Sequence, residues 1–363
     1  MKARAAVLRS RTLPFRVEDV TLEGPGPGEA LVRVAGTGFC HTDLLPRTDR
    51  LGVALPLVGG HEGAGTVLAT GTGVHEVSVG DHVVMSFDSC GGCRSCLAGR
   101  PATCAAFFTR NLTGRHPGGT GGVARDAEGR EVAAYWFGQS SFATHCVVPV
   151  RSLVPVPRSL PLELLGPLGC GFQTGAGAVL NSLGVRTGSS VVVAGTGAVG
   201  LAAVMAARAA GATVVVAVDV LPVRRELAAE LGATHTLDGS SDALAEEILR
   251  ITGGADHAVD TTGLPPVITA LVRSLHSAGS CGLVGVQHGD LIVDPLLIAA
   301  GRTIKGIIEG DAEPRLFIPR LIDLWQRGLF PFDRLIRRYP LAEIDRAERD
   351  VASGAVVKAV LIP

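Results

Sequence analysis

The chain opens on short runs in which apolar and polar positions alternate, separated by glycine-containing turns: residues 30–35 (ALVRVA), 65–69 (GTVLA) and 82–87 (HVVMSF). A period of two puts alternate side chains on opposite faces, so these runs predict strands and a β-rich first domain. From Ser190 the pattern changes. Residues 191–194 form a continuous apolar run of buried-strand type, 199–210 a helix, and 213–218 (TVVVAV) a second strand. Residues 224–231 read as a helix, 257–260 as a strand, and 282–286 (GLVGV) as another strand after an intervening helix. Such β-α alternation predicts a parallel sheet covered on both faces. A helical period at 314–327 and a closing strand at 356–362 are expected to return to the first domain, and the glycine-rich, aperiodic stretch 114–130 reads as one long loop.

Composition narrows the function classes. At 363 residues the chain exceeds what one core usually serves, so two domains are expected. A net charge of -1 gives no footprint for nucleic acid or an anionic membrane surface, which leaves small-molecule work. The apolar stretch 191–207 is interrupted by Gly195, Gly197 and Gly200 and falls short of the roughly 20 residues of a membrane helix. Residues 1–12 carry basic side chains but no apolar core of the secretory kind, so the chain is expected to stay in the reducing cytoplasm.

That compartment decides how the cysteines are read. Cys90, Cys93, Cys96 and Cys104 are spaced C-x2-C-x2-C-x7-C, close enough to surround one tetrahedral zinc. Disulfides are the alternative, but clustered cysteines in a reducing compartment are more often metal ligands. Four sulfur ligands leave no open coordination position, so this zinc would brace a loop and the chemistry has to lie elsewhere. Cys146 and Cys281 read as small buried apolar residues.

Gly195-Thr196-Gly197-Ala198-Val199-Gly200 is a G-x-G-x-x-G turn that follows a predicted strand and opens a predicted helix. Asp219 stands nineteen residues after Gly200, at the end of the next strand. This context predicts a dinucleotide site. Gly195 makes the turn, Gly197 lets the pyrophosphate approach, Gly200 lets helix and strand pack, and the helix N-terminus faces the phosphates. Asp219 would accept the ribose hydroxyls and repel a 2'-phosphate, which favours NAD over NADP.

Cys40, His61 and Cys170 remain as candidate ligands, each in a glycine-bearing segment: Gly38-Phe39-Cys40-His41-Thr42-Asp43, Gly59-Gly60-His61-Glu62-Gly63, and Gly166-Pro167-Leu168-Gly169-Cys170-Gly171. Spacing cannot join residues spread over more than a hundred positions. Chemistry says only that two cysteines, one histidine and a water make a known open zinc site.

With these segments, the four-cysteine lobe and the GTGAVG turn in this order, the chain resembles the zinc-containing medium-chain alcohol dehydrogenases over residues 3–363. The segments 88–93 (DSCGGC), 137–144 (FGQSSFAT) and 164–171 (LLGPLGCG) resemble the aryl-alcohol (benzyl-alcohol) subgroup. The resemblance implies an α/β protein. A GroES-like β-rich catalytic domain would comprise 1–171 and 309–363, and a doubly wound Rossmann domain 172–308. It implies a catalytic zinc on Cys40, His61 and Cys170, with Glu62 as an occasional ligand and Asp43 fixing the His61 ring. It further implies that Thr42 passes the substrate proton outward, that Thr174 and Val199 pack against the nicotinamide, that His41 and Lys358 face the pyrophosphate, and that Arg224 approaches the adenosine ribose. Many animal and yeast relatives end the proton relay on a histidine where this chain has Leu45, so the proton would leave through water or His41.

The expected reaction is a reversible hydride transfer from a primary aromatic or allylic alcohol to NAD, with two zinc ions per chain and a homodimer or homotetramer implied by resemblance. Six of the fifteen aromatic residues, Phe107, Phe108, Tyr135, Trp136, Phe137 and Phe142, cluster in one stretch. They read equally as a local core or as the lining of a pocket for a flat or long apolar alcohol. A reductase of an aldehyde or iminium intermediate, a thiol-dependent formaldehyde dehydrogenase, and a zinc-braced NAD-binding redox sensor are the alternatives weighed against it.

Overall fold

The structure is a computed structural model that describes residues 1–48, 52–118 and 122–363. The chain divides into two compact units: Met1–Cys170 with Glu313–Pro319 and Asp333–Pro363, and Gly171–Ala312 with Arg320–Phe332.

The first unit is built from β-strands, as the two-residue period requires. Lys2–Leu8 pairs antiparallel with Arg16–Leu22 in a closed barrel, and a seven-stranded sheet lies beside it in the same unit. The strand Glu29–Gly38 organises that sheet, pairing with Gly63–Thr70, with His145–Pro149 and, through Thr37 and Gly38, with the late strand Lys358–Ile362. Its alternate residues Ala30, Val32 and Val34 enter a core with Val67, Val83, Met85 and Val148. Cys146 is in that core with its sulfur 3.6 Å from that of Met85, and burial holds its thiol above the ordinary value.

The second unit is a six-stranded parallel sheet in the order His235–Asp238, Val214–Asp219, Ser190–Ala194, Ala255–Asp260, Leu275–Leu283, Thr303–Gly306. All five residues of Ser190–Ala194 are buried, which accounts for its unbroken apolar run. The chain runs outward from this strand in both directions, so the strand order reverses at its carboxyl end, where open α/β sheets place nucleotides. The helix Ala198–Ala209 starts there. Cys281 is buried in this unit's core.

Three sequence expectations shift. The strand expected at 282–286 is Leu275–Leu283: Val284 and Gly285 donate to Asp260 O at 2.9 and 3.2 Å and turn the chain out of the sheet. The stretch 114–130 contains a strand, Val123–Arg125, paired with Glu131–Ala133, while residues 119–121 of that predicted loop lie outside the described residues. The helix Pro314–Gln326 forms, but only Glu313–Pro319 belongs to the first unit before the chain returns to the second.

Candidate active site and metal centres

Ligand atoms of Cys40, His61, Glu62 and Cys170 lie within 4.8 Å of one another, all in the first unit. Cys40 follows the strand Glu29–Gly38 and precedes the short helix His41–Arg47, His61 lies in the loop before Gly63–Thr70, and Cys170 ends a helical turn at Gly166–Gly169. The protein thus brings together residues that spacing alone could not connect.

His61 is 1 % exposed and its ring is fixed at one nitrogen. Nδ1 lies 2.8 Å from Asp43 Oδ1, while Nε2 is buried without a hydrogen-bond partner among the described residues. An imidazole that donates from Nδ1 keeps its lone pair at Nε2, the arrangement a metal ligand needs. Burial works against charge on this ring, but the Asp43 carboxylate outweighs it and makes the ring more basic than an ordinary histidine. The Cys40 thiol is held well below its ordinary value, first by a hydrogen bond from Cys170 and then, against burial, by the positive charge of Lys358 and by His61. One sulfur disposed to ionise, a second cysteine beside it and one oriented imidazole fit a zinc ion, with a carboxylate near enough to enter its coordination.

Asp43 is the hub of this arrangement. It is 1 % exposed, accepts from the backbone of Cys40 and Gly60 at 3.1 Å each, and receives the indole N–H of Trp136 at 3.1 Å. Gly60 turns with φ +90°, and a Cβ there would stand 2.3 Å from Phe142 N. Only glycine can therefore bring its N–H to Asp43 without displacing Phe142. Gln139, fully buried, accepts from Gly63 N at 3.0 Å and donates to His61 O at 2.9 Å. Phe137 stacks on the imidazole with ring centres 4.5 Å apart.

Lys358 departs from its expected place. Its ammonium lies 2.9 and 2.8 Å from the two oxygens of Glu62 and 3.3 Å from Phe39 O, and the residue is 3 % exposed. Burial works against this charge and the Glu62 carboxylate outweighs it, so the ammonium is held above its ordinary value. The pyrophosphate role is left to rest on resemblance. His41 is exposed, and Thr42 and Leu45 are partly buried in the same helical turn.

The second cluster joins Cys90, Cys93, Cys96 and Cys104 within the same 4.8 Å limit. None of the eight cysteines is joined in a disulfide. Backbone N–H groups of Cys93 and Ala106 point at the sulfurs of Cys90 and Cys104 from 3.3 and 3.4 Å. The N–H groups of Ala105 and Cys96 pull the Cys93 thiol down to about 6, while burial and the neighbouring Cys93 sulfur push the Cys96 thiol up to about 12.

In the second unit the glycine turn is tight. Gly195 has φ +83°, and a Cβ on Gly200 would stand 1.7 Å from Gly195 O, so the first helical turn and the strand end touch through backbone alone. Gly197 has open space where a Cβ would be, which leaves its backbone approachable by a phosphate. Asp219 accepts from the N–H and hydroxyl of Thr196 at 2.7 and 2.8 Å, so the turn itself aims the carboxylate. Arg224 is buried against the same turn, donating to Thr196 O at 3.3 Å, and burial lowers it despite Asp219. Thr174 is on the helix Gly171–Gly177, which approaches Ala198–Ala209 so closely that a Cβ on Gly175 would lie 1.9 Å from Val199 O.

Sequence reasoning passed over Gln139 and Thr196 as site residues and noted Trp136 only as an aromatic. A buried tryptophan needs a partner for its N–H, and that requirement was the signal available for Trp136.

Two family descriptions match: "Alcohol dehydrogenase GroES-like domain" over residues 26–158 and "Zinc-binding dehydrogenase" over 198–326. Geraniol dehydrogenase of Castellaniella defragrans is 46 % identical over 367 residues, covering 100 % of this chain and 98 % of its own. Benzyl alcohol dehydrogenase from Acinetobacter calcoaceticus is 40 % identical in structure alignment with TM-score 0.93, covering 100 % of this chain and 99 % of its own. A zinc-binding dehydrogenase from Sinorhizobium meliloti, solved with NADP bound, is 26 % identical with TM-score 0.82 and full coverage of both chains. The chain belongs to the zinc-dependent medium-chain alcohol dehydrogenase family. Within that family it is an alcohol dehydrogenase, composed of a GroES-like unit and a Rossmann-type unit. Among the described residues no helix is long and apolar enough to cross a membrane.

Proposed function

We propose that this enzyme oxidises a primary allylic or aromatic alcohol to the aldehyde, reversibly, with NAD as acceptor and zinc at Cys40, His61 and Cys170. The observation that carries the reading is the Nε2 of His61, buried without a hydrogen-bond partner among the described residues and grouped with two cysteine sulfurs and a carboxylate. Zinc held by these residues supplies Lewis acidity to an alcohol or carbonyl oxygen, and NAD supplies the hydride acceptor.

The chain's own groups do the rest. Asp43 holds the His61 ring in the tautomer that leaves Nε2 basic. Glu62, tied to Lys358, lies near enough to serve as an occasional ligand. Thr42 takes the alcohol proton and passes it to water or His41, since Leu45 offers no acceptor. Asp219, aimed by Thr196, receives the adenosine ribose and disfavours a 2'-phosphate, and Arg224 flanks it. Thr174 and Val199 pack against the nicotinamide. The four-cysteine cage takes a second, structural zinc. In this reading the first unit is the catalytic domain and the second the NAD domain, in a cytoplasmic homodimer or homotetramer.

The substrate class is supported by likeness to enzymes named for geraniol and benzyl alcohol and by the aromatic wall beside His61. Phe137 stacks on the ring, and Phe107 packs edge-on to Phe137 with centres 6.3 Å apart. Flat or long apolar alcohols gain contact against such surfaces. The test is reduced-nicotinamide formation from NAD or NADP with geraniol, benzyl alcohol, ethanol, and formaldehyde plus thiol, before and after zinc chelation. Chelator-sensitive turnover of geraniol or benzyl alcohol with NAD is expected, with ethanol poor. Equal rates with ethanol, or activity only with formaldehyde plus thiol, would overturn the substrate assignment.

A further inference from the structure

We propose that the indole N–H of Trp136 is a positioning group for the metal centre, acting on His61 through Asp43. The inference rests on the assignment of Cys40, His61 and Cys170 as zinc ligands and adds a residue that the assignment does not need.

Trp136 and its neighbours hold His61 from several sides. The indole Nε1 donates to Asp43 Oδ1 at 3.1 Å, and that same oxygen faces His61 Nδ1 at 2.8 Å. Phe137 covers the imidazole face, and Gln139 donates to the His61 carbonyl at 2.9 Å. All three side chains belong to one turn, Trp136–Gly138 with its following residue, in which Phe137 adopts φ +51°. A non-glycine residue in that region is strained and persists only where surrounding contacts enforce it. Trp136 itself is fully buried, and its backbone N–H donates to Ser140 Oγ at 2.9 Å. The indole is thereby fixed in depth and orientation.

The physical consequence is geometric. Oδ1 receives three donors, from Gly60, His61 and Trp136, and so has little freedom to rotate away from the ring. Without the indole N–H, the carboxylate keeps its charge but loses one of the contacts that set its rotamer. A phenyl ring could fill the space and still not hold the carboxylate. Partners that orient a ligating histidine typically change metal affinity by roughly 10- to 100-fold when removed.

The experiment measures zinc release at fixed pH to a chromogenic chelator, from the purified enzyme and from Trp136→Phe. The four-cysteine cage is an internal reference, because none of its ligands touches Trp136. Two release phases of one zinc each are expected, with Trp136→Phe speeding only the catalytic-site phase, by about 10-fold or more. Asp43→Asn is measured alone and combined with Trp136→Phe. If the indole acts through Asp43, the second substitution adds no further acceleration in the Asp43→Asn background. Should Trp136→Phe fail to fold, β-(3-benzothienyl)alanine at position 136, which keeps the bicyclic shape and replaces N–H by sulfur, takes its place. Unchanged release, or equal acceleration with and without Asp43, would overturn the inference. A wild-type enzyme that holds a single zinc, or none, would instead overturn the ligand assignment beneath it.

Discussion

Glu62 and Lys358 face each other as a buried ion pair, the ammonium lying 2.9 and 2.8 Å from the two carboxylate oxygens although 296 positions separate them in the chain. Removing one member of such a pair leaves an uncompensated charge in a dry site, at a cost of about 3–5 kcal/mol. Lys358→Met is therefore expected to lower stability by about that amount in urea denaturation. Lys358→Met with Glu62→Gln should recover much of the loss. Full loss in the double variant would show that the lysine acts by some route other than compensating Glu62.

Asp219→Asn tests how the coenzyme is chosen. Hydrogen bonds to a charged group contribute about 1.5–3 kcal/mol, so kcat/KM for NAD should fall roughly 10- to 100-fold. The NADP-to-NAD ratio should rise, because the charge that repels a 2'-phosphate is gone. Thr196→Val should weaken NAD in the same direction by less, since it removes only the hydroxyl that aims Asp219.

Gly60→Ala should be poorly tolerated. At φ +90°, with Phe142 N 2.3 Å from the new Cβ, the loop must shift and withdraw the Gly60 N–H from Asp43. Melting should fall, and zinc content should fall towards one ion per chain, with the four-cysteine cage still filled. A variant with wild-type stability and two zincs would refute this account of the loop.

Acid sensitivity should have a component at Asp126. Burial alone would raise this carboxyl, but Arg9 and Arg130 at 3.0 Å outweigh burial and hold it down to about 2. A carboxyl depressed in the folded state stabilises the fold above its unfolded value of about 3.9 and loses that contribution as pH falls towards about 2. Melting temperatures of the enzyme and Asp126→Asn should therefore differ most above about pH 4 and converge as pH approaches 2. A constant offset across this range would sink the prediction.

How much of this was legible in the sequence depended on how far apart in the chain the cooperating residues stood. The four-cysteine cage and the GTGAVG turn with Asp219 are local, so spacing and period revealed them. Cys40, His61 and Cys170 meet only because a strand, a loop and a helical turn converge, and resemblance to a family was needed to join them. Trp136 and Gln139 reach the site by side chains whose direction no periodicity encodes. The aromatic cluster divides. Phe142 packs in the core against Phe15 and Phe39, Phe137 covers His61, and Phe108 is 65 % exposed. The Lys358–Glu62 contact was not legible for the same reason: the partner is distant in sequence, and a single late lysine carries no mark of whom it will meet. The strand drawn at 282–286 erred because its apolar run continues past the point where Asp260 takes the chain's N–H groups.

The late strand Lys358–Ile362 also orders events in time. It pairs with Thr37 and Gly38, and its lysine neutralises Glu62 beside His61. During synthesis the segments around Cys40 and His61 emerge first, and 296 positions separate Glu62 from the lysine that completes their surroundings. Until Lys358 has been translated, Glu62 has no cation to meet and the strand Glu29–Gly38 lacks one edge partner. The pocket around Cys40, His61 and Cys170 is therefore completed only at the end of biosynthesis, and a nonsense codon a few positions before 358 would leave these residues encoded but Glu62 without the ammonium that faces it.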